Sequence, residues 1–249
     1  MSQKLANEYI KASKKLFQEW KERTGKIECT IKKKPVSLEI DHLNSIFVTD
    51  GIVCPEKWFS QSVRPLFLLK EAYNGESDWD LIEDTLTNEN RHIRKIWKRV
   101  SEWTRGLLET TGENIAAYTS YEQDISKYNN EYLKSIAVVN IKKSRGKEIS
   151  DMDEIRAYAE FDKKLLKAQL ALCDPTVIIC GYTASCIDSI FDIEMRSECN
   201  DNLYYFITLN GKQVVVIDYW HPSNQYPDIM NYYGLMNSYH LALKNSENR

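Results

Sequence analysis

The 249-residue sequence contains no apolar run approaching the eighteen residues a membrane-crossing helix needs, which argues against an integral membrane protein. Its opening MSQKLANEYIKASKK lacks the apolar centre of a secretory signal, so the expected location is the cytoplasm. The six cysteines, Cys29, Cys54, Cys173, Cys180, Cys186 and Cys199, form no C-x-x-C pair, and no histidine is spaced to complete a zinc site. They read as reduced thiols, and neither metal nor cofactor is expected. Excess positive charge is also missing. A formal net charge of −3 excludes a protein that coats nucleic acid by bulk electrostatics, although it leaves room for local patches. Phosphate loops, a G-x-S-x-G elbow, internal repeats and low-complexity linkers are all lacking.

What is present points to a layered α/β protein. At 43% hydrophobic content the chain can bury the core of one large domain spanning residues 1–249. Four short apolar runs, PLFLLK (65–70), SIAVVN (135–140), TVIICG (176–181) and QVVVID (213–218), are rich in β-branched residues and read as strands covered on both faces. Helical periodicity fills about 81–111 and 151–173, with Ser150 and Asp153 of SDMDE as the expected start of the second segment. The first 45 residues read as helical, and residues 1–50 form an N-terminal helical extension. The expected fold is therefore a three-layer α/β/α sandwich on a four-stranded, mostly parallel sheet with an added helical layer.

In such a sheet the ligand sits beyond the carboxyl ends of the strands, so the residues that follow each run matter most. They are KEAYNG, NIKKSRGK, GYTAS and YWHPSNQYP. A carboxylate, an amide, a basic loop and a histidine followed by Pro-Ser thus converge on one rim. The basic stretch RHIRKIWKRV (91–100) reads as a solvated helix face, and KKSRGK (142–147) as a loop after a strand end.

This ordered set resembles the motifs of the uracil-DNA glycosylase superfamily over residues 65–227. LKEAYNG is similar to that family's first motif, G-Q-D-P-Y-H-G, with Glu71 at the position of the catalytic Asp, Tyr73 at the Tyr and Gly75 at the last Gly. Asn140 matches the base-reading Asn, and His221, Pro222 and Ser223 match the H-P-S of the last motif. The resemblance implies a monofunctional DNA N-glycosylase, acting as a monomer on a flipped base. Glu71 and Asn74 would share the task of holding the water and stabilising the cationic sugar, His221 would donate to the base oxygen, and Tyr73 and Asn140 would bound and read the base. It also implies DNA contacts by Lys142, Lys143, Arg145, Ser185, Pro222 and Ser223, with Gln225 or Tyr226 as the wedge.

The chemistry itself asks for these residue types. Breaking an N-glycosidic bond places positive charge on the sugar and negative charge on the base, so an anion and a hydrogen-bond donor belong on opposite sides of the bond. Glu for Asp, Ala72 for Pro and Asn74 for His rebuild the pocket wall relative to the uracil pattern. The chain is closer in pattern to a divergent prokaryotic branch that includes antiphage glycosylases, which implies glucosylated 5-hydroxymethylcytosine as the base removed. Uracil or a mismatch-derived base in base-excision repair is the alternative, and a non-catalytic binder of modified or damaged DNA is another. As plain structural features, Glu71 would be a surface carboxylate and His221 a loop-capping histidine.

Overall fold

The structure is a computed structural model and describes residues 2–73, 75–87, 94–193 and 203–247. Helix α1 (Ser2–Lys21) forms because Ala6, Tyr9, Leu16, Phe17 and Trp20 recur at helical spacing and bury one stripe while the Lys and Glu residues stay outside. The expected helix stops there. Residues 24–41 form an antiparallel hairpin instead, β1 (Thr24–Ile31) and β2 (Lys34–Asp41), turning at Lys32 and Lys33, both left-handed with φ of 52° and 65°. TGKIECTI alternates polar and apolar side chains with period two, and that period decides for a strand once the 3.6-residue pattern has ended at Lys21.

Two short strands follow, β3 (Val48–Thr49) and β4 (Gly51–Ile52), then helix α2 (Pro55–Trp58), strand β5 (Pro65–Tyr73) and strand β6 (Trp79–Asp80). A π-helical turn at Ile82–Leu86 precedes α3 (Lys95–Glu109), and short helical turns including α4 (Ile125–Lys127) lead to β7 (Ala137–Gly146). Next come α5 (Met152–Phe161), α6 (Lys163–Cys173), β8 (Val177–Gly181), α7 (Ala184–Phe191), β9 (Tyr204–Leu209), β10 (Lys212–Tyr219) and α8 (Asp228–Glu247). Asp151, not Ser150, caps α5, its carboxylate accepting from the Asp153 amide at 3.0 Å.

The main sheet is mixed and has six strands, in the order β4-β7-β5-β8-β10-β9. All four predicted strands are present at its centre, each parallel to its central neighbours. The expected count of four was too low because the edge strands β4 and β9, antiparallel to β7 and β10, are too short or too near a turn to stand out as apolar runs. Alternate residues of β5 feed two separate cores. Leu66 and Leu68 pack with α1, α5, α6 and α7, whereas Phe67 and Leu69 pack with α3 and α8. Helix α1 therefore shares a core with the sheet instead of forming a layer outside it.

Strand β7 overturns a second expectation. KKSRGK is not a loop, since β7 runs through Gly146 and carries Lys142 and Lys143 into the interior. Charges are tolerated there because each has a carboxylate partner, Glu71 and Glu154 for Lys142, and Asp50 for Lys143. Among the described residues Cys29, Cys54, Cys173 and Cys180 are free thiols, and Cys199 lies outside them.

Candidate active site at the strand ends

Strands β5 and β7 end in a bulge that places Glu71. Glu71 pairs with Lys142 and Tyr73 with Gly146, so the intervening stretch of β7 is two residues longer than that of β5. Gly146 is required by close approach, since a Cβ there would lie 2.5 Å from the Ala72 carbonyl oxygen and 2.8 Å from Glu71 Cγ. Glu71 is turned inward, its side chain only 2% exposed. One carboxylate oxygen, Oε2, lies 3.1 Å from Lys142 Nζ, while Oε1 is buried with no hydrogen-bond partner. An unsatisfied buried carboxylate oxygen is costly and calls for a donor that the chain does not supply. Lys142 also donates to Glu154 at 2.7 Å. Burial alone would lower the Lys142 pKa, but Glu154 and Glu71 outweigh it and raise the value.

His221 follows β10 and is framed by its neighbours. The Ser223 amide donates to Nδ1 at 3.2 Å, with the Ser223 hydroxyl 2.7 Å from the same nitrogen. An accepting Nδ1 fixes the tautomer, so the neutral ring carries its proton on Nε2. Burial, reinforced by the positive charge of Lys70, pushes the His221 pKa down to about 4. Gly181 admits the ring, because a Cβ at that position would meet Leu69 Cδ2 at 2.7 Å and both His221 and Pro222 at 3.4 Å.

Asn140 is 2% exposed and locked. Its backbone N–H and Nδ2 both donate to Asp50 Oδ2, at 2.8 and 3.1 Å, which sets the direction of the amide. Asp50 Oδ1 in turn accepts from Lys143 at 2.6 Å and Gln169 at 2.8 Å. The amide that sequence alone leaves free to flip is held by a buried carboxylate, since flipping would turn its oxygen onto Asp50.

Glu71, Tyr73, Asn140, His221 and Ser223 all line one cavity of about 420 Å³ at the carboxyl ends of the central strands. Asn74 lies outside the described residues. The remaining predictions fare differently. Lys142 and Lys143 are buried in ion pairs and are not available to phosphates, which corrects their expected role. Arg145, Gln225 and Tyr226 are exposed. Ser185 lines a separate, smaller cavity, where its hydroxyl lies 3.4 Å from Arg156 Nε. Pro222 is buried, and both donors of Ser223 are occupied by His221, so these two residues shape the histidine loop in this structure.

Sequence reasoning missed Arg99 and Asp50. Arg99, on α3 and 1% exposed, donates to the carbonyls of Pro222 (2.8 Å), Asn224 (2.7 Å) and Tyr226 (3.1 Å) and to Asp228 (2.8 Å from Nε). The 222–228 loop is thus held from one side by a buried guanidinium, while the buried Asn231 amide donates to Asn224 Oδ1 and to the Tyr226 and Pro227 carbonyls from the other. A signal for this was present, since Arg99 falls four and seven residues before Trp103 and Gly106, on the buried side of a helix otherwise read as a solvated basic face. Asp50 carried none, standing in a Gly- and Pro-punctuated stretch that reads as a loop.

Among the described residues no group of three or more His, Cys, Asp or Glu is placed to hold a metal ion, and no helix is long and apolar enough to cross a membrane. No protein-family model matches the chain, and no curated protein matches its sequence.

Proposed function

We propose that the protein is a monofunctional DNA N-glycosylase that receives a flipped-out pyrimidine in the 420 Å³ cavity and hydrolyses its bond to deoxyribose. The observation that carries this reading is the presence of Glu71 and His221 on that one cavity: a buried carboxylate with an unpartnered oxygen, and an imidazole whose Nδ1 accepts, leaving Nε2 as the donor. The Glu71 carboxylate, whose Oε1 is closed off from solvent in this structure, turns toward the cavity to accept from a water and to face the sugar as positive charge develops on it. The water oxygen bonds to C1′ as the C1′–N1 bond breaks, one water proton passes to the Glu71 carboxylate, and the electron pair of the broken bond leaves with the base. His221 Nε2–H donates to the base oxygen on which that charge collects, and the departing base later takes a proton from solvent. Asn140 pairs with the base edge in the one orientation Asp50 permits.

The cavity is larger than a bare pyrimidine needs and falls in the range that encloses drug-sized ligands. Tyr73 is 45% exposed, which suits a base with a bulky C5 substituent better than a ring closed against that edge. We therefore assign glucosylated 5-hydroxymethylcytosine as the preferred base and defence against viral DNA in the cytoplasm as the role, with one chain supplying every group. The test is a set of matched DNAs carrying uracil, 5-hydroxymethylcytosine or its glucosylated form, incubated with the protein and cleaved at abasic sites with alkali. Scission of the glucosylated DNA alone is expected. Scission with uracil reassigns the protein to repair, and scission with none leaves a binder of modified DNA.

The protonation state of His221 gives an independent check. A histidine whose folded pKa is about 4 stays neutral across the range in which an ordinary imidazole, near 6.5, would titrate. Base release is expected to be flat from about pH 8 to 5.5 and to fall only as pH approaches 4. Stability moves in the same sense: the unfolded chain takes up this proton first, so the contribution of a neutral His221 is lost as pH drops from about 6.5 through 4. A rate profile with an inflection near 6.5 would contradict the assignment.

A further inference from the structure

Beside the first cavity, where β8 and β10 end, lies a second of about 250 Å³. Its walls include Tyr182, Trp220, Arg156 and Ser185. Tyr182 and Trp220 keep large rings 53% and 45% exposed on the same recess, and the Tyr182 amide donates to the Tyr219 carbonyl at 2.8 Å, tying the two strand ends together. Tyr182 adopts φ of 65°, a left-handed conformation that is unfavourable for a bulky side chain and is retained where the surroundings impose it. Lys70 Nζ sits 5.1 Å from the Tyr182 ring centre. Arg156 is held on two sides, by Asp153 at 3.0 Å and by the Ser185 hydroxyl at 3.4 Å, which steadies a flat cationic surface.

Two open aromatic rings, a guanidinium plane and a hydroxyl within a recess of this size form a stacking site with hydrogen-bonding edges, the chemistry that holds an unstacked nucleobase. Position narrows the occupant. Trp220 immediately precedes His221, and Gly181, which precedes Tyr182, is itself in close approach to the His221 ring. Trp220 of the second cavity and His221 of the first are consecutive residues, and Lys70 of the first lies over the Tyr182 ring of the second, so the two cavities are neighbours along the rim.

We propose that the second cavity receives the base of the nucleotide next to the flipped one, which makes single-stranded DNA the preferred form of substrate. This rests on the glycosylase reading for the occupant of the first cavity. In a duplex the neighbouring base is paired and stacked on both sides and must be released before it can enter, whereas in a single strand it is free.

The test uses a single-stranded decamer whose central nucleotide is a tetrahydrofuran abasic analogue, so that no base is available for release, with affinity read by fluorescence anisotropy. A second tetrahydrofuran placed on one side of the first is expected to weaken wild-type binding about tenfold, and Trp220→Ala to bind the original decamer about tenfold more weakly and to ignore the second lesion. Trp220→Phe, which keeps a stacking ring, should stay within about threefold of wild type. Thermal melting of each variant checks folding, and Tyr182→Ala replaces Trp220→Ala if the latter melts early. The proposal is overturned if the second lesion changes nothing on either side, if the variants bind as wild type does, or if the matched duplex binds as tightly as the single strand. A protein that passes this test yet releases no base from any DNA is a single-strand binder, and the glycosylase reading alone is lost. One that releases base yet fails here loses only the neighbouring-base site.

Discussion

Glu71→Gln is expected to lower base release on the order of a thousandfold while leaving DNA affinity within about threefold of wild type. The substitution keeps the shape of the side chain and an oxygen for Lys142, and Lys142 retains Glu154 as its second partner. What disappears is the negative charge facing the sugar, which matters only as the glycosidic bond breaks. A loss confined to the chemical step is the signature of a group that acts in the transition state. The competing role for Glu71 is to fasten β5 to β7 through Lys142. In that case Glu71→Gln and Lys142→Met should lower melting temperature, binding and release together. Single-turnover rates, anisotropy and thermal melting on the same preparations separate the two.

Arg99→Met is expected to cost about 3 kcal/mol of stability, because it removes the side-chain donors to the Pro222 and Asn224 carbonyls, one of the two donors to the Tyr226 carbonyl, and the cation beside Asp228. Methionine replaces the aliphatic stem and leaves the Pro222 and Asn224 carbonyls without their Arg99 donor, while Tyr226 keeps the Asn231 amide. Arg99→Lys should recover little, since a single ammonium cannot span the carbonyls of Pro222, Asn224 and Tyr226 together with the carboxylate. Base release should fall further than affinity, because Pro222 and Asn224 flank the His221–Ser223 contact that fixes the imidazole tautomer. Urea unfolding followed by tryptophan fluorescence measures the first effect. Stability within about 1 kcal/mol of wild type would show that the loop is held by other means.

The relation between sequence and structure is clearest at residues where two signals competed. The central strands were legible because PLFLLK, SIAVVN, TVIICG and QVVVID are buried on both faces and so read as continuous apolar runs. Edge strands carry no such run, and β4, at two residues, has almost no pattern to read. The β1–β2 hairpin was masked by the helical periodicity of α1 immediately before it, and its turn uses Lys32 and Lys33 where Asn and Gly would have announced it. KKSRGK failed for a physical reason: a basic run is normally solvated, and only distant carboxylates, Asp50 and Glu154, allow it to be a buried strand. The same partners were invisible at the site. Glu71, Tyr73, Asn140, His221 and Ser223 were legible because they close or follow the apolar runs in order, whereas Asp50 and Arg99 act through contacts made across 90 and more than 120 residues of chain.

The most direct measurement is mass spectrometry of the small molecules released when wild-type protein and Glu71→Gln are incubated with DNA containing glucosylated 5-hydroxymethylcytosine. The free glucosylated base in the wild-type reaction, its absence with Glu71→Gln and a matching count of abasic sites in the DNA are the predicted result. Intact DNA with no free base from the wild-type protein, on this substrate and on uracil-containing DNA alike, would contradict the assignment of the Glu71–His221 cavity to glycosidic bond cleavage.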